Sequence, residues 1–170
     1  DVAIRGDRIV TVAPDGIPAG KAARVIDVSG LIVAPGFIDI HSHLDPLLRL
    51  PAAETKLRQG VTTALGGPDG SGPWPLGPYL DSAETLGVGV NVAFLVGHNT
   101  IRREVMGMDN RPPTDAELVM MQQMVTQAMD DGAFGISTGL IYLPGAYSNV
   151  DEVVSLAEMV ASRGGVYTSH

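Results

Sequence analysis

Apolar positions along the chain follow two patterns, and the change between them falls near residue 35. Residues 2–12 (VAIRGDRIVTV) contain two short apolar runs joined at Gly6-Asp7, a dipeptide step typical of a two-residue hairpin. Residues 25–35 (VIDVSGLIVAP) predict two further strands around Gly30. We therefore expect residues 1–34 to form a small β unit and residues 35–170 to form a separate region.

After residue 35, apolar runs rich in β-forming residues alternate with helical segments. This alternation is typical of βα units that build a parallel sheet. Five runs are predicted as its strands, and in chain order they are FIDIHSH, VTTALGG, VNVAFLVG, FGISTGL and VYTSH. The stretch GGPDGSGPWPLGPY, which follows the second strand, is predicted as a loop because it is rich in Pro and Gly.

Two helices are predicted between the later strands. The first begins at a capping box, Thr114-x-x-Glu117, and ends near Gly132. The second begins at a Ser148 cap and ends near Gly164-Gly165. The expected apolar stripes are Leu118, Met121, Val125 and Ala128 in the first helix, and Val153, Leu156, Ala157 and Val160 in the second.

Composition and charge narrow the class of protein. The 170 residues are 45% hydrophobic and 18% charged, which is typical of a folded globular chain. The net charge of -8 repels phosphate backbones, so no nucleic-acid partner is expected. No run approaches the roughly 20 apolar residues of a membrane helix, and the first residues do not resemble a signal peptide. Asp1 and His170 look like cut ends, so localisation is left open, with the cytoplasm as the default.

His41 and His43 carry the first sign of chemistry. In a strand, residues two apart share a face, so Asp39, His41 and His43 are expected to point the same way. Imidazole nitrogens suit Zn²⁺ and similar ions, and without cysteine any metal must be held by histidines and carboxylates. Two surface histidines near a strand end would have the same spacing. The PGFID sequence before the two histidines and Asp45 after them favour their interpretation as metal ligands.

Four segments together point to a known family: APGFIDIHSHLD, the GVTT strand, GHNTIRREVMG and GISTGLIYLPGAY. They resemble the N-acyl-D-amino-acid deacylases of the amidohydrolase superfamily. The HxH segment is shared across that superfamily, whereas STGLIYLPGAY is far more specific. The resemblance implies an α/β fold, a partial TIM-type βα barrel of about five of its eight strands, preceded by part of a small β-sandwich that both chain ends assemble.

The resemblance also implies a set of metal ligands for one or two divalent ions, with zinc expected. His41 and His43 would lie on strand one, and His170 would be a further ligand at the tip of strand five. Relatives carry a cysteine after strand two in a GNCG-like turn, whereas this chain has Asp69 in GGPDG. A carboxylate can replace a thiolate for a hard ion, so Asp69 is assigned as a ligand. The alternative is an ordinary turn aspartate before Gly70.

Three residues are expected to contact the substrate. Tyr142 in GLIYLPG resembles the tyrosine that these enzymes place near the polarised carbonyl, where a phenol can donate to an oxyanion. An aromatic packed in a loop is the alternative. His98 and Arg102 lie in GHNTIR after strand three. Arg102 could pair with a substrate carboxylate, and His98 could equally hold its own loop by hydrogen bonds.

The implied reaction is hydrolysis of the amide bond of N-acyl-D-amino acids, which gives a carboxylate and a D-amino acid. The family's general base and a further histidine ligand follow later strands and are absent from these residues. The isolated chain is therefore expected to be inactive and poorly stable. Alternatives are another amidohydrolase, such as a cyclic-amide hydrolase or a D-dipeptidase, and a non-catalytic structural relative that has lost its metal.

Overall fold

The first unit of the structure contains a β-hairpin. We describe a computed structural model, which covers residues 1–18, 20 and 22–170 and divides into two units, Asp1–Pro35 and Gly36–His170. Strands β1 (Val2–Arg5) and β2 (Arg8–Val12) pair antiparallel with Arg5 opposite Arg8. Gly6 in the turn has a φ of 62°, which glycine adopts without strain. The predicted hairpin is confirmed.

The two strands predicted over residues 25–35 are wrong, because the described residues 22–35 contain no strand. The Asp27 carboxylate accepts hydrogen bonds from the amide and the hydroxyl of Ser29, at 2.9 and 2.6 Å. The Leu31 amide donates to the Val28 carbonyl at 2.9 Å. These local bonds turn the chain and compete with strand pairing. Whether residues 1–34 belong to a β-sandwich stays a prediction.

The second unit is built on one parallel sheet of five strands, in the order β3-β4-β5-β6-β7. The five predicted strands are all present, and each strand pairs with the next one along the chain. Their bounds are β3 (Phe37–Asp39), β4 (Val61–Gly66), β5 (Asn91–Gly97), β6 (Gly135–Thr138) and β7 (Val166–Ser169). Parallel neighbours in chain order place all five carboxyl ends at one edge of the sheet.

Five helices connect these strands: α1 (Glu54–Leu57), α2 (Leu76–Leu86), α3 (His98–Met106), α4 (Asp115–Asp130) and α5 (Val150–Ala161). The capping box at the start of α4 is confirmed, with both of its hydrogen bonds present. Helix α5 is capped by Asn149 instead of Ser148, because the Asn149 side chain accepts from the Glu152 amide at 2.8 Å. The predicted loop after strand two ends earlier than expected, since α2 begins at Leu76.

The core of this unit lies where helices pack on the sheet. The predicted stripe of α4 buries Met121, Val125 and Ala128, and that of α5 buries Leu156 and Val160. They pack with sheet residues such as Phe94 and Ile136 in one apolar cluster. Among the described residues, no helix is both long and apolar enough to cross a membrane. The helices therefore stabilise the sheet by packing against it, and polar side chains lie at its carboxyl edge.

Candidate metal centre

The first segment of the candidate site follows β3. This strand ends at Asp39. His41 and His43 therefore lie in the irregular segment beyond the strand, and not within it as the alternation argument assumed. Asp39 points elsewhere, because its carboxylate accepts from Lys56 Nζ at 2.6 Å and from the His41 amide at 3.1 Å. The hydrogen bond from Lys56 holds the pKa of Asp39 below its usual value. Asp39 thus ties the histidine segment to helix α1.

The second segment supplies Asp69, which lies in the turn after β4. Its Oδ2 atom is 3.3 Å from Nε2 of both His41 and His43. The two imidazole rings meet edge to face with centroids 5.7 Å apart. One nitrogen of each histidine and one Asp69 oxygen all lie within 4.8 Å of one another. Two sequence-predicted ligands on one segment and a third on another are therefore brought together.

This group of side chains fits a divalent metal ion. Two imidazole nitrogens and one carboxylate oxygen are a common donor set for zinc. The Asp69 side chain is only 11% exposed, and its Oδ1 atom is buried without a hydrogen-bond partner. A buried carboxylate oxygen without a donor is costly, and a cation would satisfy it. A turn aspartate exposed to solvent would have neither property.

Two further segments bring Tyr142 and His170 together. Tyr142 follows β6, His170 follows β7, and the Tyr142 hydroxyl lies 3.2 Å from His170 Nε2. The amide of His170 donates to the Thr138 carbonyl at 2.9 Å, which holds the histidine at the carboxyl edge of the sheet. His170 is not a member of the His41–His43–Asp69 group. Its role as a further ligand stays a prediction.

His98 and Arg102 occupy a different environment from the one predicted for substrate-binding residues. Both are fully buried, and both pair with Glu152 at the start of α5. His98 Nε2 lies 2.8 Å from Oε1 of Glu152, and the Arg102 guanidinium donates to Oε2. Burial alone would raise the pKa of Glu152, but the hydrogen bonds from His98 and Arg102 outweigh it and lower the pKa. Substrate contact by this pair stays a prediction that their burial does not support.

Glu152 itself was not singled out from the sequence. It lies four residues before Leu156 and eight before Val160, so it continues the buried face of α5. That spacing was the available signal. A carboxylate on a buried helical face needs a partner, and the partner is found on α3, some 50 residues away in the chain.

A cavity of about 210 Å³ adjoins the metal-ligand group. Its lining includes His43, Asp45, Pro68, Tyr79 and Phe94. Burial, and then the nearby Asp45 carboxylate, raise the pKa of Tyr79, whose hydroxyl donates to the Leu44 carbonyl at 3.3 Å. The cavity is a mixed polar and apolar space next to His43, of a kind that suits part of a small ligand.

Comparison with known proteins agrees with this fold. The chain belongs to the amidohydrolase family, whose family model matches residues 24–158. It is 38% identical over its whole length to a D-aminoacylase from Alcaligenes xylosoxydans xylosoxydans, of which it covers 40%. The predicted resemblance to N-acyl-D-amino-acid deacylases is thereby confirmed.

Two solved structures support the same assignment. One is a D-aminoacylase structure that addresses its binuclear metal centre, with a TM-score of 0.86 and 35% identity over 99% of this chain and 40% of that one. The other is an N-acyl-D-glutamate deacylase from Bordetella bronchiseptica complexed with zinc and a phosphonate inhibitor, with a TM-score of 0.75 and 35% identity over 80% of this chain and 34% of that one. The predicted fold class is confirmed, and the chain spans about 40% of the length of the relatives it matches.

Proposed function

We propose that this chain is the N-terminal part of a metal-dependent hydrolase that cleaves the amide bond of N-acyl-D-amino acids. The products would be a carboxylate and a D-amino acid, and the metal would be zinc, as one or two ions. The observation that carries the proposal is the group formed by His41, His43 and Asp69, whose ligand atoms lie within 4.8 Å of one another. The zinc complex of the N-acyl-D-glutamate deacylase and the binuclear centre of D-aminoacylase support the metal assignment.

In this proposal, some residues of the chain bind the metal ion and another contacts the substrate. His41 and His43 would hold a zinc ion through Nε2, and Asp69 would hold it through the carboxylate. Once bound, such an ion supplies Lewis acidity and lowers the pKa of a coordinated water toward neutrality. Tyr142, whose side chain is exposed at the same edge of the sheet, would donate its phenolic proton in a hydrogen bond to the developing oxyanion.

The remaining predicted residues take supporting roles in this proposal. His170 would be a further ligand held in place by its backbone bond to Thr138. His98 and Arg102, which pair with Glu152, would hold helix α3 against α5. The general base would be supplied by residues beyond this chain.

The proposal is tested on the complete gene product that contains these residues. Wild type and Asp69→Ala would be purified in parallel, with Asp81→Ala as a matched control, because Asp81 is an exposed carboxylate on α2. We expect bound zinc in wild type and in the control, and substoichiometric zinc in Asp69→Ala. Each protein would then be assayed on N-acyl-D-amino acids, cyclic amides and dipeptides carrying D-residues.

The outcomes separate the candidate functions. Hydrolysis of N-acyl-D-amino acids by wild type, lost with the metal, supports the proposal. Zinc-dependent activity confined to cyclic amides or dipeptides would assign a different amidohydrolase reaction. A folded wild-type protein without metal would assign a non-catalytic relative.

A further inference from the structure

Ser137 spans both ends of the turn that carries Asp69. This serine lies on β6 and is fully buried. Its hydroxyl donates to the Gly67 carbonyl at 2.6 Å, and its oxygen accepts from the Gly70 amide at 3.0 Å. One side chain, about 70 residues away in the chain, therefore closes the turn from Gly67 to Gly70.

The turn needs such support because its backbone conformation is unusual. Asp69 has a φ of 59°, in the left-handed region that residues other than glycine rarely adopt. Gly67 and Gly70 on either side also have positive φ values, of 70° and 79°. Glycine adopts a positive φ without strain, so Asp69 is the residue of this turn whose conformation depends on contacts from outside it.

Helix α3 holds the same turn from a second direction. The Gly70 carbonyl accepts from the amides of Asn99 and Thr100, at 2.7 and 3.2 Å, at the start of the helix. With the carbonyl fixed by α3 and the amide fixed by Ser137, both peptide groups of Gly70 are anchored. The backbone from which the Asp69 side chain leaves, one residue earlier, is held with them.

We infer that Ser137 is a positioning residue for Asp69, one that sets the carboxylate at the place where it meets His41 and His43. The inference rests on the proposed metal site and deepens it, because it names what orients the unusual ligand of that site. Groups that orient a ligand through hydrogen bonds commonly change metal affinity by about 10- to 100-fold when they are lost. Ser137 differs from a merely structural serine in that its loss should alter metal binding and not only folding.

The test replaces Ser137 with Ala in the complete gene product and compares it with Ser155→Ala. Ser155 lies on α5 and its hydroxyl accepts one hydrogen bond, from Gln122 on α4 at 2.7 Å, whereas Ser137→Ala removes two. Zinc affinity would be measured by competition with a chelator, and the ligand set by the visible absorption of the cobalt(II)-substituted protein. We expect zinc affinity to fall at least about tenfold and the cobalt spectrum to change in Ser137→Ala, and neither to change in Ser155→Ala.

A double-mutant cycle shows whether Ser137 acts through Asp69. If it does, adding Ser137→Ala to Asp69→Ala causes no further loss of zinc affinity. Equal affinity and an identical spectrum in Ser137→Ala and wild type would overturn the inference while leaving the metal-dependent function intact. A wild-type protein that binds no zinc would overturn the proposed function, and this inference with it. If Ser137→Ala does not fold, Ser137→Thr carries the test: its retained hydroxyl should keep affinity within about threefold, and a loss of about tenfold would overturn the assignment.

Discussion

Replacing Glu152 with Ala should destabilise the protein strongly, because it leaves a buried cation without its counter-charge. Arg102 is fully buried, and in the mutant its guanidinium would keep only carbonyl partners, those of Asp109 at 3.3 Å and Arg111 at 2.6 Å. His98 would lose its carboxylate partner as well. Breaking a buried ion pair by removing one member costs about 3–5 kcal/mol. That is a large part of the roughly 5–15 kcal/mol that holds a typical protein folded.

The assay is urea denaturation of the complete gene product near neutral pH. With a denaturant slope of roughly 1–3 kcal/mol per molar urea, a loss of 3–5 kcal/mol moves the midpoint down by about 1 M or more. Glu158→Ala serves as the matched control, since it removes an exposed carboxylate from the same helix, and we expect it to change the free energy of unfolding by less than about 0.5 kcal/mol.

The lowered pKa of Glu152 determines how the destabilisation by Glu152→Ala depends on pH. A carboxylate whose pKa is depressed in the folded state stabilises the fold at pH values above its unfolded pKa, and that contribution is lost as the pH falls through the folded pKa. The difference in the free energy of unfolding between wild type and Glu152→Ala should therefore be largest near neutral pH and become smaller in acid. A Glu152→Ala midpoint within error of wild type near neutral pH would refute the argument that this buried pair holds α3 to α5.

Three further predictions concern the turn that carries Asp69 and the start of helix α4. Asp69→Cys should raise the affinity for Zn²⁺ relative to that for Mn²⁺, as measured by competitive metal binding, because thiolate is the softer ligand. An unchanged ratio of the two affinities would contradict ligation by this side chain. Gly139→Ala should lower zinc content and reduce activity by at least about tenfold, because the added Cβ would lie 2.2 Å from the Asp69 carbonyl oxygen; a fully loaded variant would show that the turn tolerates displacement. Arg111 and then Thr114 hold the pKa of Glu117 far below its usual value, so Glu117→Gln should lower the melting temperature most near neutral pH and by less near pH 3, where part of the contribution has been lost. An equal effect at both pH values would contradict that ion pair, and Glu84→Gln, at an exposed site on α2, is the control.

Sequence patterns predicted the five strands because each is an apolar run that ends in glycine or polar residues. Their order followed because consecutive βα units pair neighbouring strands. The pattern failed at residues 25–35, where apolar content predicted strands but the Asp27 side chain closes a local turn. It also placed His41 and His43 within a strand that ends at Asp39. A segment forms a strand only when another segment pairs with it. The sequence of one segment therefore cannot decide whether it becomes a strand.

The candidate site was predictable only in part for a related reason. His41 and His43 were visible from their spacing, and Asp69 from the resemblance, because it stands where relatives carry a cysteine. Neither the support of the Asp69 turn by Ser137 nor the pairing of Glu152 with Arg102 has a local signal, because each contact joins residues 50 or more positions apart. Such contacts depend on the register between strands and helices, which only the folded chain defines.

The most direct test of the central claim is chelation and zinc reconstitution of the complete gene product, assayed on matched N-acyl-D- and N-acyl-L-amino acids. We predict that the D-substrate is hydrolysed, that chelation abolishes this activity, and that zinc restores it. A folded, zinc-loaded protein that leaves the D-substrate intact, or that hydrolyses it equally well after complete metal removal, would contradict the account.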